Sequence, residues 1–171
     1  IHNVDFDNIK EKISQIKLPL KRFEFKGNIE GRTIVDDYAH HPREIKATLR
    51  LGRLFLNEHD KYKRLIAIFQ PHRFSRVNEF FIEFANELAL ADQIIITNIY
   101  GAGEKNINNI SSSLISTEIF KLNKNVKIVK DNNEIRKKFN HLTRENDLII
   151  NMGAGDCHNL WQILTSKNID L

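Results

Sequence analysis

"TIVDDYAHHPREIKATL", Thr33 to Leu49, runs from an apolar stretch through a corner of carboxylates, a tyrosine and imidazoles into a helical pattern. Ile34 and Val35 read as the end of a strand. Pro42 suits the first turn of a helix, Glu44 is favoured near its N-terminus, and Ile45 and Leu49 begin a buried stripe. A strand that ends at such a corner and feeds a helix is half of a βαβ unit, so the rest of the chain can be searched for the same pattern.

The pattern repeats downstream. Strand "LIAIFQ" (65–70) precedes a helix from about Val77 to Ala91, and strand "QIIITNI" (93–99) leads through a polar, glycine-containing loop to helix "SSLISTEIFKL" (112–122). Strand "VKIVK", helix "NEIRKKFNHL", strand "DLIINM" and a last helix containing "CHNLWQIL" complete the series. Apolar strands separated by amphipathic helices predict a parallel sheet covered on both faces. Upstream, "KRFEF" alternates, "GNIEG" carries a glycine at each end, and "RTIVDD" follows, which predicts a hairpin or a pair of neighbouring strands. The expected fold is therefore a doubly wound, Rossmann-like α/β sheet of about five parallel strands plus one antiparallel strand.

The chain's 171 residues, 41% hydrophobic and 28% charged, suit one domain with a sizeable core. Phe6, Ile9, Ile13 and Ile16 recur at helical spacing before Pro19, so residues 1–18 are expected to form an amphipathic lead-in and residues 19–171 the domain. With no initiator Met, the stretch reads as part of a longer chain. Cys157 is the only cysteine, which excludes an internal disulfide and a cysteine-based zinc site. No apolar run approaches the ~20 residues of a membrane span and no secretory leader is visible, so no membrane partner and a cytoplasmic location are expected. The net charge of +4 comes from lysines and arginines scattered along the length, so nucleic acid is not an expected partner either.

In open α/β sheets, ligands sit beyond the carboxyl ends of the strands. "DDYAHHP" (36–42), "QPHRFSR" (70–76), "NIYGAGE" (98–104) and "GAGD" (153–156) each follow a strand, so all four fall on that one edge. The first crowds two carboxylates and two imidazoles, an arrangement that costs repulsion or desolvation unless partners or ligands offset it. The second sets His72, Arg73 and Arg76 within five residues, and arginine's fixed fork of donors suits a carboxylate or phosphate. In "NMGAGD" two glycines between strand and helix let a ligand or another segment approach the backbone. The dinucleotide fingerprint fails there, because His158 stands where its third glycine belongs, and the chain has no G-x-x-x-x-G-K-[ST] phosphate loop. Cys157, at a helix N-terminus that would lower a thiol pKa, is expected to pack and not to react.

"KRFEFKG", "DDYAHHPREIKATL", "FQPHRFSR", "NIYGAGE" and "GAGD", in this order from Lys21 to Asp156, resemble the C-terminal domain of the Mur ligases, nearest their alanine-adding branch. Ala39, Gly101 and Cys157 depart from the residues common there. The resemblance implies ATP- and magnesium-dependent amide formation in peptidoglycan synthesis. The lactyl carboxylate of UDP-N-acetylmuramate is phosphorylated, the amine of L-alanine attacks the acyl phosphate, and the tetrahedral intermediate collapses to amide and phosphate. By position it implies that Arg22 and Asp37, with Tyr38 nearby, contact the ribose and base region of ATP. His40 would approach the acyl group, and His72, Arg73 and Arg76 would surround the alanine carboxylate and the intermediate. The phosphate loop and most Mg2+ ligands would lie in a central domain and the UDP site in an N-terminal domain, so the isolated stretch should be inactive. A metal-dependent phosphoesterase that uses Asp36, Asp37, His40, His41 and His72 as ligands is the alternative from another class.

Overall fold

The computed structural model describes residues 21–122 and 124–166, so the amphipathic lead-in expected over residues 1–18 lies outside the described residues. Six strands form one sheet: β1 (Glu24–Ile29), β2 (Arg32–Asp37), β3 (Arg64–Phe69), β4 (Gln93–Ile96), β5 (Asn125–Ile128) and β6 (Asp147–Met152), in the order β1-β2-β6-β3-β4-β5. β1 pairs antiparallel to β2 and every other neighbouring pair is parallel, the arrangement expected from the sequence.

The hairpin turn is shorter than "GNIEG" suggested. Gly27, Asn28 and Ile29 belong to β1, and the turn is Glu30-Gly31, both at positive φ (48° and 80°), which matches the twist of the flanking strands. Gly27 marks a bulge opposite β2 and lies against Trp161: a Cβ there would stand 2.5 Å from the indole.

The helices are α1 (Pro42–Asn57), α2 (Phe74–Leu88), α3 (Ser113–Lys121), α4 (Asn132–Leu142) and α5 (Leu160–Thr165). α2 begins three residues before the expected Val77, and the last segment is a 3-10 turn, Asp156–Asn159, before the short α5. Ile45 and Leu49 of α1, Val77, Phe84 and Leu88 of α2, and Ile115 and Ile119 of α3 pack on one sheet face against Val35, Phe69, Ile94 and Ile150. Ile135, Phe139 and Leu142 of α4 and Leu160 of α5 cover the other face against Ile34, Ile66, Ile68 and Ile149. Burial on both faces explains why β3, β4 and β6 read as continuous apolar runs without alternation.

A polar clasp holds the amino ends of the strands. Arg64 donates from Nε and Nη2 to the buried Asp147 carboxylate at 2.9 and 2.7 Å, and Asp147 also accepts from the Arg144 N–H at 2.7 Å. This leaves the carboxyl edge, where the unusual segments gather, free of that structural duty.

Candidate active site

At the β2–α1 corner the chain is held by its own carboxylates. Asp37 Oδ2 accepts from the Phe23 N–H and Oδ1 from the Ala39 N–H, both at 2.8 Å, and the Tyr38 N–H donates to the Lys21 carbonyl at 2.7 Å. These bonds bring Lys21–Phe23 against the corner and leave Arg22 and Tyr38 exposed at its rim. Asp37 itself is buried, with two bonds on a group that can accept about four.

His41 caps α1: its Nδ1 accepts from the Arg43 N–H at 3.4 Å. The Glu44 carboxylate accepts from the His40 and His41 N–H groups at 3.0 and 3.2 Å and lies 3.3 Å from His40 Nδ1. Burial disfavours the Glu44 charge, but these N–H groups and the nearby His40 and Arg22 charges hold its carboxyl below the usual range. Glu44, expected near the helix start, lies under His40 in the structure.

His40 Nδ1 also lies 2.8 Å from the Tyr38 carbonyl oxygen. A carbonyl can only accept, so in the neutral ring that contact puts the proton on Nδ1 and the lone pair on Nε2. The His72 ring lies 5.8 Å from that of His40, and Arg76 Nη1 stands 3.5 Å from both His72 Nδ1 and the His40 carbonyl oxygen. A guanidinium can only donate, so the long Arg76 contact favours the opposite tautomer of His72, with the proton on Nε2. Burial, followed by the charges of Arg76, His40 and Arg73, holds the His72 imidazole below its ordinary pKa of 6.5, while Glu104 opposes them. These contacts favour the neutral form of His72.

Arg73 and Arg76 have no carboxylate within salt-bridge distance among the described residues, so neither pairs with Asp36 or Glu44 across the edge. Arg73 is exposed and sits at φ 69°, ψ 133°, a strained conformation for a side-chain-bearing residue.

The two carboxylates of "DDYAHHP" separate because successive strand residues face opposite sides of the sheet. Asp36, 3% exposed, turns to the α5 side and accepts from Asn151 Nδ2 at 2.9 Å. Burial raises its pKa from 3.8 to about 6 against the Asn151 hydrogen bond and the Lys26 charge. His41 turns away from His40 to pack on Phe80, ring centroids 5.1 Å apart, in a groove between α1 and α2. The five ligands of the phosphoesterase alternative therefore do not converge, and among the described residues no three His, Cys, Asp or Glu side chains are grouped to hold a metal ion.

The glycines of "GAGD" serve neighbouring segments. A Cβ on Gly153 would meet Cys157 Sγ at 2.7 Å and the Gln70 carbonyl oxygen at 3.0 Å; one on Gly155 would meet Gln70 Oε1 at 2.4 Å and Tyr100 Cγ at 2.6 Å. Gln70 ties this loop to β3, donating from Nε2 to Asp156 at 2.6 Å and accepting from the Cys157 N–H at 3.1 Å. The helix-start lowering of the Cys157 pKa does not occur: burial, then the Asp36 and Asp156 charges, push the thiol up to about 12. Gln70, Tyr100 and Asn151 lay inside the quoted motifs, but nothing in one sequence marked them as the links between those motifs.

A protein-family model described as "Mur ligase, glutamate ligase domain" matches residues 21–155. The chain is 60% identical over 170 residues to a UDP-N-acetylmuramate–L-alanine ligase of Prochlorococcus marinus, covering 96% of this chain and 36% of the relative. It is 42% identical over 165 residues to the ligase of the same description from Caldanaerobacter subterraneus, covering 96% of this chain and 35% of that one. The chain thus spans about a third of the length of the curated relatives it matches. In fold it is similar to the crystal structure of a UDP-N-acetylmuramate-alanine ligase from Thermotoga maritima, with TM-score 0.70 and 24% identity over 93% of this chain and 34% of the other.

Proposed function

The chain belongs to the Mur ligase family, as its glutamate ligase domain, and from that premise we propose that it is the C-terminal domain of an ATP-dependent ligase that joins L-alanine to UDP-N-acetylmuramate. The observation that carries this reading is the carboxyl edge of the sheet, where His40, His72 and Arg76 meet within 3.5–5.8 Å and Arg73 and Arg76 lack a carboxylate partner among the described residues. Such an edge is built to receive an anion next to two imidazoles of different tautomer.

ATP, when bound, supplies the phosphoryl group that turns the lactyl carboxylate into an acyl phosphate. Asp37, with acceptor capacity to spare, and the exposed Arg22 and Tyr38 form the rim that would take its ribose and base. Among the described residues no three His, Cys, Asp or Glu side chains are grouped to hold a metal ion, and the part proposed for this domain is to bind, orient and move protons.

Arg76 and Arg73 take the alanine carboxylate. As the alanine nitrogen bonds to the acyl carbon, its proton passes to the lone pair on His40 Nε2, while His72 Nε2–H donates to the oxygen that gains charge in the tetrahedral intermediate. Collapse of that intermediate breaks the bond to the phosphate oxygen and leaves the amide. The rest of the longer chain would supply the phosphate loop, the metal and the UDP site, and closure of this domain over them would exclude water.

The test is phosphate release by the full-length protein that carries this domain, measured with both UDP-N-acetylmuramate and L-alanine present. Release should require both, and Arg76→Ala should raise the KM for alanine at least ~10-fold. Release by the folded wild type that does not depend on alanine would overturn the assignment.

A further inference from the structure

The "NIYGAGE" loop has no part in the roles above, yet it grips the His72–Arg73 segment at every level. The Tyr100 N–H donates to the Pro71 carbonyl and the Arg73 N–H to the Tyr100 carbonyl, both at 2.8 Å, which forms a parallel bridge between His72 and Tyr100 beyond the ends of β3 and β4. Gly101 lies against Phe74, where a Cβ would stand 2.8 Å from the ring. The Glu104 carboxylate accepts from the Ser75 N–H and hydroxyl at 3.0 and 2.7 Å, which caps α2 two residues from the strained Arg73.

On the inner side, the Tyr100 ring is stacked on His72, with planes 14° apart and centroids at 5.6 Å. Its other neighbour is Gly155, whose missing side chain leaves the space Tyr100 occupies. Among the described residues the Tyr100 hydroxyl has no hydrogen-bond partner, so the ring and not the oxygen does the holding.

The geometry points to Tyr100 as a positioning residue that, wedged between Gly155 and His72, fixes the plane of the His72 imidazole and so the direction of its Nε2–H. The benefit to alanine ligation rests on the function proposed above; the hold on His72 does not. The groups around that imidazole are Arg76 on α2, Arg73 before it, His40 from the β2–α1 corner and Glu104 from the Tyr100 loop. Loss of the stacked ring opens the imidazole to water and relieves the burial that holds its pKa down.

Two readouts test this. The first is the His72 titration followed by NMR in this chain. In Tyr100→Leu it should move up by at least half a pH unit; in Tyr100→Phe it should stay at the wild-type value. Gly155→Ala, which crowds the other side of the ring, serves as a second variant should Tyr100→Leu not fold, and should move the His72 titration as well. The second readout is ligation by the full-length protein: Tyr100→Leu should lower kcat at least ~10-fold with a smaller change in the KM for alanine, and Tyr100→Phe should restore kcat to within about twofold. An unmoved His72 titration in a folded Tyr100→Leu or Gly155→Ala protein overturns the proposal, as does equal loss of kcat in the Leu and Phe variants. If the wild type shows no alanine-dependent turnover, the assigned function fails, and the NMR result still decides the role of Tyr100.

Discussion

Asp36→Asn should stabilise this domain at neutral pH, although it removes a residue from the chain's most conspicuous motif. The Asp36 carboxyl is 3% exposed, with one hydrogen bond from Asn151, and burial lifts its pKa from 3.8 to about 6. Between those two values the folded form holds its proton more tightly than the unfolded form, so stability falls as pH rises through the window and stays low above it. The separation of about two pH units is worth about 3 kcal/mol at ~1.4 kcal/mol per unit, all of it charged against the ionised native state at pH 7.5. Asparagine keeps the oxygen that accepts from Asn151 and cannot ionise. The variant should therefore gain up to about 3 kcal/mol at pH 7.5, or roughly 6–12 °C in Tm for a domain of this size, and under about 1 kcal/mol at pH 4, near the foot of the window. Urea melts of wild type and variant at half-unit steps from pH 4 to pH 8 give the difference curve, which cancels the titration of all other groups. A flat difference across that range, or a variant less stable than wild type at pH 7.5, would refute the reasoning.

Asp37→Asn should act in the opposite direction and lose about 2 kcal/mol. Both Asp37 oxygens accept backbone N–H bonds, and an amide must set its own NH2 against one of them, a loss that a urea midpoint shift would report. Gly27→Ala combines a φ of 150° with a Cβ 2.5 Å from Trp161, so a cost of about 2 kcal/mol is expected. Trp161 is the only tryptophan, and a change in native-state fluorescence should accompany that loss. Asp147→Ala removes the two carboxylate oxygens that accept from Arg64, leaving only its bond to Gln93, and the partner of the Arg144 N–H; thermal unfolding should show a loss of about 3 kcal/mol, whereas a change under 1 kcal/mol would mean that the clasp carries little weight.

The strand-corner-helix reading of Thr33–Leu49 carried over to the whole sheet because burial on both faces leaves a signal that one sequence displays: β6 was legible to the residue as "DLIINM". Boundaries slipped where tertiary contacts override local pattern. α2 begins at Phe74 because Glu104, from a loop thirty residues on, caps Ser75, and β1 runs through Gly27 because Trp161 covers the bulge. Neither partner is adjacent in sequence, so no local rule could place those ends.

The gathering of the motifs on one edge was legible for a topological reason, since each followed a strand and parallel strands share one carboxyl edge. Its wiring was not. The adjacent Asp36 and Asp37 look like one acidic cluster in the sequence, yet the pleat sends one to Asn151 beneath the sheet and the other to Phe23 and Ala39 above it. His40 and His41 look like a pair, yet a helix start turns one toward His72 and the other onto Phe80. The two imidazoles that do meet come from loops after β2 and β3, strands that are not neighbours: β6 lies between them, and its Gly153-Gly155 loop sets the Tyr100 ring against His72. Histidines in such a site take their tautomers from backbone and guanidinium contacts made by different segments. The opposite tautomers that these contacts favour are therefore a property of the folded edge and not of either motif.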